Sequence, residues 1–176
     1  MNFLKQKMLD YLNKKTNNKN KIPHINTSFA NSRDIGLIFT WEGNSKYAQV
    51  LELIKYLEIH GKKVELLCYV RNPKELNIPG IPVYMDKDIS FFGKTKSSIC
   101  SNFLSKSFDF LLHLDLQPAI IVQYVLSRTH AKCRVGKNDM INRQFYELMI
   151  RPTEEENFKD FCDQVLHYTK SIMTYA

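Results

Sequence analysis

The sequence predicts an α/β protein: a single three-layer domain in which a mostly parallel sheet of about five strands lies between helices, with an N-terminal amphipathic helix in front of it. Three observations predict it. Short apolar runs alternate along the chain with segments of helical periodicity. The runs VELLCYV (64–70) and DFLLHLDL (109–116) are too continuously apolar for half-exposed strands, as expected where helices cover both faces of a sheet. The 176 residues suit one hydrophobic core, long enough to bury about 70% of the unfolded surface.

The chain opens on lysines. Met1, Leu4, Met8 and Tyr11 recur at three- and four-residue steps, which predicts a helix with an apolar stripe before NKKTNNKNK turns polar. Lys5, Lys7, Lys14, Lys15, Lys19 and Lys21 stand against Asp10 alone, so +5 of the net charge of +7 falls within residues 1–21. Residues 1–33 are therefore expected to form a basic helix and linker, and residues 34–176 the α/β domain.

DIGLIFTW (34–41) reads as the first strand. Ser45 then stands as N-cap of a helix carrying Tyr47, Val50, Leu51, Ile54 and Leu57 on one face, closed by His60 and Gly61. VELLCYV is the second strand. The three prolines and one glycine of RNPKELNIPGIPVYMDKD make a loop, with room for a short strand at Val83–Met85. KSSICSNFLSKSF predicts a helix through Ile99, Phe103 and Leu104, DFLLHLDL the third strand, and QPAIIVQYVLSRT a helix. AKCRVGK (131–137) and YELMIRP (146–152) are the fourth and fifth strands. Thr153 and Glu156 have the spacing of a capping box for the last helix, whose stripe runs Phe158, Phe161, Cys162, Val165, Leu166 and Thr169.

Composition excludes several classes. Hydrophobic residues make 44% and charged residues 24%, and no apolar run approaches the roughly 20 residues of a membrane-spanning helix, so no integral membrane association is expected. The start MNFLKQKMLDYLNKK is interrupted by charges and lacks a small-residue cleavage site, which predicts a cytoplasmic protein. Cys68, Cys100, Cys133 and Cys162 are widely spaced without a CxxC pair, so four buried thiols are expected rather than a zinc site or redox dithiol. The sequence calls for no metal and no cofactor.

In such sheets ligands bind beyond the carboxyl ends of the strands, where the strand order reverses. The residues predicted there are Trp41, Glu42 and Asn44, then Arg71 and Asn72, Asp115 and Gln117, Lys137 and Asn138, and Arg151. His113 and Asp115 alternate on one strand and share a face, as an acid–base pair would. The alternative is a satisfied core histidine, with Asp115 capping the next helix at Pro118. Trp41 either stacks on a sugar or base or covers the core. EGNS is not a GxxxxGK[ST] phosphate loop, and GxGxxG and GxSxG are absent. A covered sheet offers no aromatics to RNA, which leaves the N-terminal helix and the loops GKTK (93–96) and KNDMINR (137–143).

FDFLLHLDLQ, the following helix and AKCRVGK resemble the strand–helix–strand of the N-terminal, Rossmann-like half of heptosyltransferase-type GT-B glycosyltransferases. The whole chain, through FFGK to YELMIRP, is similar to an uncharacterised bacterial family classed as a domain of unknown function. The first resemblance implies a catalytic carboxylate after the first strand, but the family's Gly-Asp pair is replaced by TWEGNSKYA, leaving Glu42, with Asp115 as the other candidate base. It also implies a second domain for the nucleotide sugar, whereas these 176 residues are expected to form a single domain. Two function classes follow. The favoured one is a non-catalytic binding or adaptor protein, a half-GT-B-like domain whose basic arm engages an acidic protein or ribonucleoprotein. The competing one is a glycosyltransferase-like, sugar- or phosphometabolite-processing enzyme that needs a partner chain to complete its site.

Overall fold

Strands β1 (Asp34–Thr40), β2 (Lys63–Tyr69), β3 (Val83–Tyr84), β4 (Ser107–His113), β5 (His130–Lys137) and β6 (Leu148–Ile150) form one sheet in the order β3-β2-β1-β4-β5-β6. Each pairing between these strands is parallel. The computed structural model describes residues 1–20, 27–72, 74, 80–117, 119–152 and 157–172. The predicted α/β, Rossmann-like sheet is present with six strands, the short strand foreseen within Val83–Met85 being Val83–Tyr84. The chain builds outward from β1 to β3, then returns to the other side of β1, so the order reverses between β1 and β4.

The helices are α1 (Phe3–Lys19), α2 (Asn44–Ile59), α3 (Ser98–Leu104), α4 (Ile120–Arg128) and α5 (Phe158–Lys170). Alternate strand residues feed two apolar layers. Leu37, Phe39, Phe110 and Val135 meet Val50 and Leu57 of α2 and Phe161 and Val165 of α5. Ile38, Leu67 and Leu111 meet Phe103 of α3, Val122 and Val125 of α4, and Leu9 of α1. Each fully buried side chain of this size contributes about 1.5–3 kcal/mol.

Helix starts and faces differ locally from the sequence reading. Helix α2 begins at Asn44, not after Ser45: Gly43 takes the N-cap with φ of 105°, a left-handed conformation open to glycine, and turns the chain from β1 into the helix within three residues. Its buried face is Lys46, Val50, Leu53 and Leu57, while Leu51 is exposed. In α3, Cys100 is buried in place of Ile99. Helix α5 is capped by a reciprocal Asn157–Asp160 box; the Thr153–Glu156 box lies outside the described residues. Of the predicted stripe, Phe161, Cys162, Val165 and Thr169 are buried, while Phe158 and Leu166 are half-buried.

The largest departure is α1. Its predicted apolar stripe is not the buried face: Met1, Leu4 and Tyr11 are exposed and Met8 half-buried, and the buried positions are Leu9, Asn13 and Asn17. The asparagines reach acceptors that an apolar face would leave unpaired. Asn13 Nδ2 donates to the carbonyl of Ile120 (3.2 Å), Asn17 Nδ2 to Gln144 (2.8 Å) and Asn20 Nδ2 to Ser127 (3.1 Å). Arg128 donates to Asn13 Oδ1 (2.8 Å) and the buried Arg134 to Asn17 Oδ1 (2.6 Å), so both sides of these amides are used.

Candidate functional site

The last backbone bond joining β1 to the β4 segment runs from the amide of Leu114 to the carbonyl of Ile38 (2.8 Å). Beyond it the chains separate and a side chain takes over. Asp115, 2% exposed, accepts from the Thr40 amide at Oδ1 (2.8 Å) and from the Thr40 hydroxyl at Oδ2 (2.6 Å). Lys46 Nζ donates to Oδ1 (2.8 Å), and His113 Nε2 lies 2.9 Å from Oδ2. The other ring nitrogen of His113 meets the Tyr146 hydroxyl.

The electrostatics follow from these contacts. Burial alone would push the Asp115 carboxyl up, but the hydrogen bond from His113 and the Lys46 ammonium outweigh it and hold the group well below the usual carboxylate range. An ionised carboxylate only accepts, which places the proton of that pair on His113 Nε2. Burial drives the Tyr146 phenol well above its ordinary range, so its hydroxyl keeps its proton and donates to Nδ1. On the outer side, Glu42 Oε1 lies 3.2 Å from Lys46 Nζ, which also sits 4.8 Å from the Phe158 ring centroid. A polar chain thus runs from solvent to core: Glu42, Lys46, Asp115, His113, Tyr146.

Glycines make this possible. Gly43 starts α2 early enough for Lys46, in the first turn, to turn back beneath the helix. A Cβ on Gly136 would fall on the Tyr146 ring, so β5 holds the ring at van der Waals range only because that position is bare.

The predicted rim separates into parts. His113 is a satisfied core histidine, bonded at both nitrogens. Asp115 does not cap the following helix, because its donors come from β1, α2 and β4, and the N-cap of α4 is Ala119 without a side-chain bond. Trp41 is mostly buried against Tyr47 at 5.6 Å between ring centroids. Its remaining edge joins Glu42, Gly43 and Arg71 around a cavity of about 410 Å³. Lys137 donates to the carbonyl of Leu116 (2.8 Å). Asn44, Asn72 and Gln117 are exposed, the amide of Asn138 bonds the carbonyl of Ile150, and Arg151 follows β6, with β4 and β5 between it and the switch point.

A second cavity, of about 380 Å³, opens beside the first and shares Arg71; Tyr69, Asp86, Ile120, Ile121 and Ile141 line it. Sequence reasoning missed these residues, and missed Thr40, Lys46 and Tyr146. Only Lys46 carries a signal in the sequence: it falls in step with Val50, Leu53 and Leu57, a lysine in register with a buried stripe. Among the described residues no cluster of His, Cys, Asp or Glu could hold a metal ion, and no helix is long and apolar enough to cross a membrane.

The lysines of α1 are also divided. Lys5 donates to the carbonyl of Asp86 (2.7 Å) and Lys14 pairs with Asp10 (2.7 Å). Lys7 lies 4.4 Å from the Phe3 ring centroid and Lys15 5.9 Å from that of Tyr11. Lys19 is exposed in the last turn, and Lys21 lies outside the described residues.

No curated protein and no solved structure matches the chain, so the likeness to GT-B glycosyltransferases rests on its strand–helix–strand segment alone. The family model described as a family of unknown function (DUF6913) matches residues 4–172, and the chain belongs to that family.

Proposed function

We propose that the protein is a non-catalytic binding or adaptor module that engages an acidic partner, a protein or a ribonucleoprotein, through the outer face of α1. One observation carries this reading. Phe3, Lys7, Tyr11 and Lys15 follow one another at four-residue steps, Phe3 and Tyr11 are 65% and 59% exposed, and none of the four takes part in the bonds that seat the helix. Seating and recognition are thereby assigned to opposite faces of one helix. Ammonium groups already lie over both rings, so recognition is electrostatic rather than by stacking on bases. The competing enzymatic reading finds no free acid–base pair at the switch point, where Asp115 and His113 are bonded to each other and to their neighbours.

The test is affinity recovery from native lysate, with and without nuclease, comparing the wild type with a Lys7→Glu/Lys15→Glu variant. A partner lost from the variant, and released steeply by salt from the wild type, supports the reading. Equal recovery by both proteins overturns it. Deletion of residues 1–21 is the wrong comparison, because it also removes Leu9 and the asparagines from the body of the domain.

A further inference from the structure

Every other charge that lines the two cavities at the carboxyl edge of the sheet is committed. Glu42 is paired with Lys46 at 3.2 Å. Asp86 accepts from the Tyr69 hydroxyl at 2.7 Å and stands 3.4 Å from the ammonium of Met1. Arg71 is different: it lies on the shared wall of both cavities, it is exposed, and it forms no hydrogen bond or ion pair with another described residue. Ile120, Ile121 and Ile141 supply apolar lining to the cavity of about 380 Å³, which Tyr69 also lines.

We propose that this cleft binds a small molecule made of an oxyanion and a compact apolar or planar body. Arg71 takes the oxyanion through its planar fork of donors, and the body lies against the isoleucines and Tyr69. The cavity volume of about 380 Å³ falls within the size range of small-ligand sites. The binding residues are distinct from the outer face of α1, so this site stands or falls independently of the proposed partner contact. The oxyanion is a phosphate ester or a carboxylate, and the probes separate them.

Amide chemical shifts of the full chain are followed during titration with phenyl phosphate, benzoate, inorganic phosphate and phenol. Saturable shifts at Tyr69, Arg71 and Ile120 are expected with phenyl phosphate or benzoate, and the tighter of the two identifies the oxyanion. Inorganic phosphate and phenol, each carrying half of the pattern, bind more weakly. Arg71→Gln weakens the better probe about tenfold or more, while Ile141→Ser, at an exposed position, weakens it without affecting inorganic phosphate. Absence of saturable shifts up to about 10 mM of either ring-bearing probe overturns the proposal. So does unchanged affinity in Arg71→Gln, or inorganic phosphate binding as tightly as phenyl phosphate.

Discussion

Asp115 and Thr40, 75 positions apart in the chain, are joined twice: the backbone amide of Thr40 donates to Oδ1 at 2.8 Å and its hydroxyl to Oδ2 at 2.6 Å. The carboxylate continues the β1–β4 ladder for one residue past the point where main-chain pairing stops, and it does so as a buried anion neutralised by Lys46. Removing it leaves the buried Lys46 ammonium with only the exposed Glu42 as counter-charge. Asp115→Ala is expected to lower stability by about 3–5 kcal/mol, measured by urea unfolding at neutral pH. A loss under about 1 kcal/mol would show that the ion pair does not hold the switch point.

The same group sets a pH dependence. Its folded pKa lies below the unfolded value of about 3.9, so its contribution is fully present above that value and is lost as pH falls further. Between about pH 5 and pH 2 the wild type should lose stability more steeply than Asp115→Asn, which has no carboxyl to protonate there. Parallel acid-unfolding curves would contradict this assignment.

Asn17 is the hinge pin of the α1 seat. Its Oδ1 accepts from Arg134, whose other nitrogens form a fork on Glu147 at 2.6 and 3.0 Å. Asn17→Leu removes an acceptor from a buried guanidinium and a donor from the Gln144 carbonyl, at a cost of about 1–3 kcal/mol. Amides of α1 should then exchange faster than those of β1 and β4, which hydrogen exchange read by mass spectrometry will resolve.

The four thiols should be silent in the native protein. Burial pushes Cys68, Cys133 and Cys162 up to about 12 and Cys100 up to about 11, so almost no thiolate exists at pH 8. An aromatic disulfide reagent should titrate all four in denaturant and label the folded chain only at the rate of its opening.

Gly136→Ala tests the support beneath His113. The added methyl collides with the Tyr146 ring, which must move and give up its hydrogen bond to the histidine. A destabilisation of about 1–3 kcal/mol is expected, with a changed near-ultraviolet tyrosine signal. Full wild-type stability would mean that β5 yields more readily than a central strand should.

The alternation of apolar runs and helical periods was enough to read the layered α/β body, because burial on both faces imposes itself residue by residue. VELLCYV and the Phe161–Thr169 stripe are legible for that reason. The α1 interface is not, since Asn13 and Asn17 are buried for the carbonyls and arginines they meet, and those partners lie more than 100 residues away. The site has the same difficulty. Thr40, Lys46, Asp115 and Tyr146 come from four segments that only the strand order β3-β2-β1-β4-β5-β6 brings together, and no local spacing encodes that order.

The grip on α1 has a consequence for how the sequence can vary. Asn13, Asn17, Asn20 and Lys5 all donate to main-chain oxygens, those of Ile120, Gln144, Ser127 and Asp86. Such a lock is indifferent to which side chains occupy the receiving positions. It is intolerant of a change in chain length between them, since inserting one residue would set the four keyholes out of line.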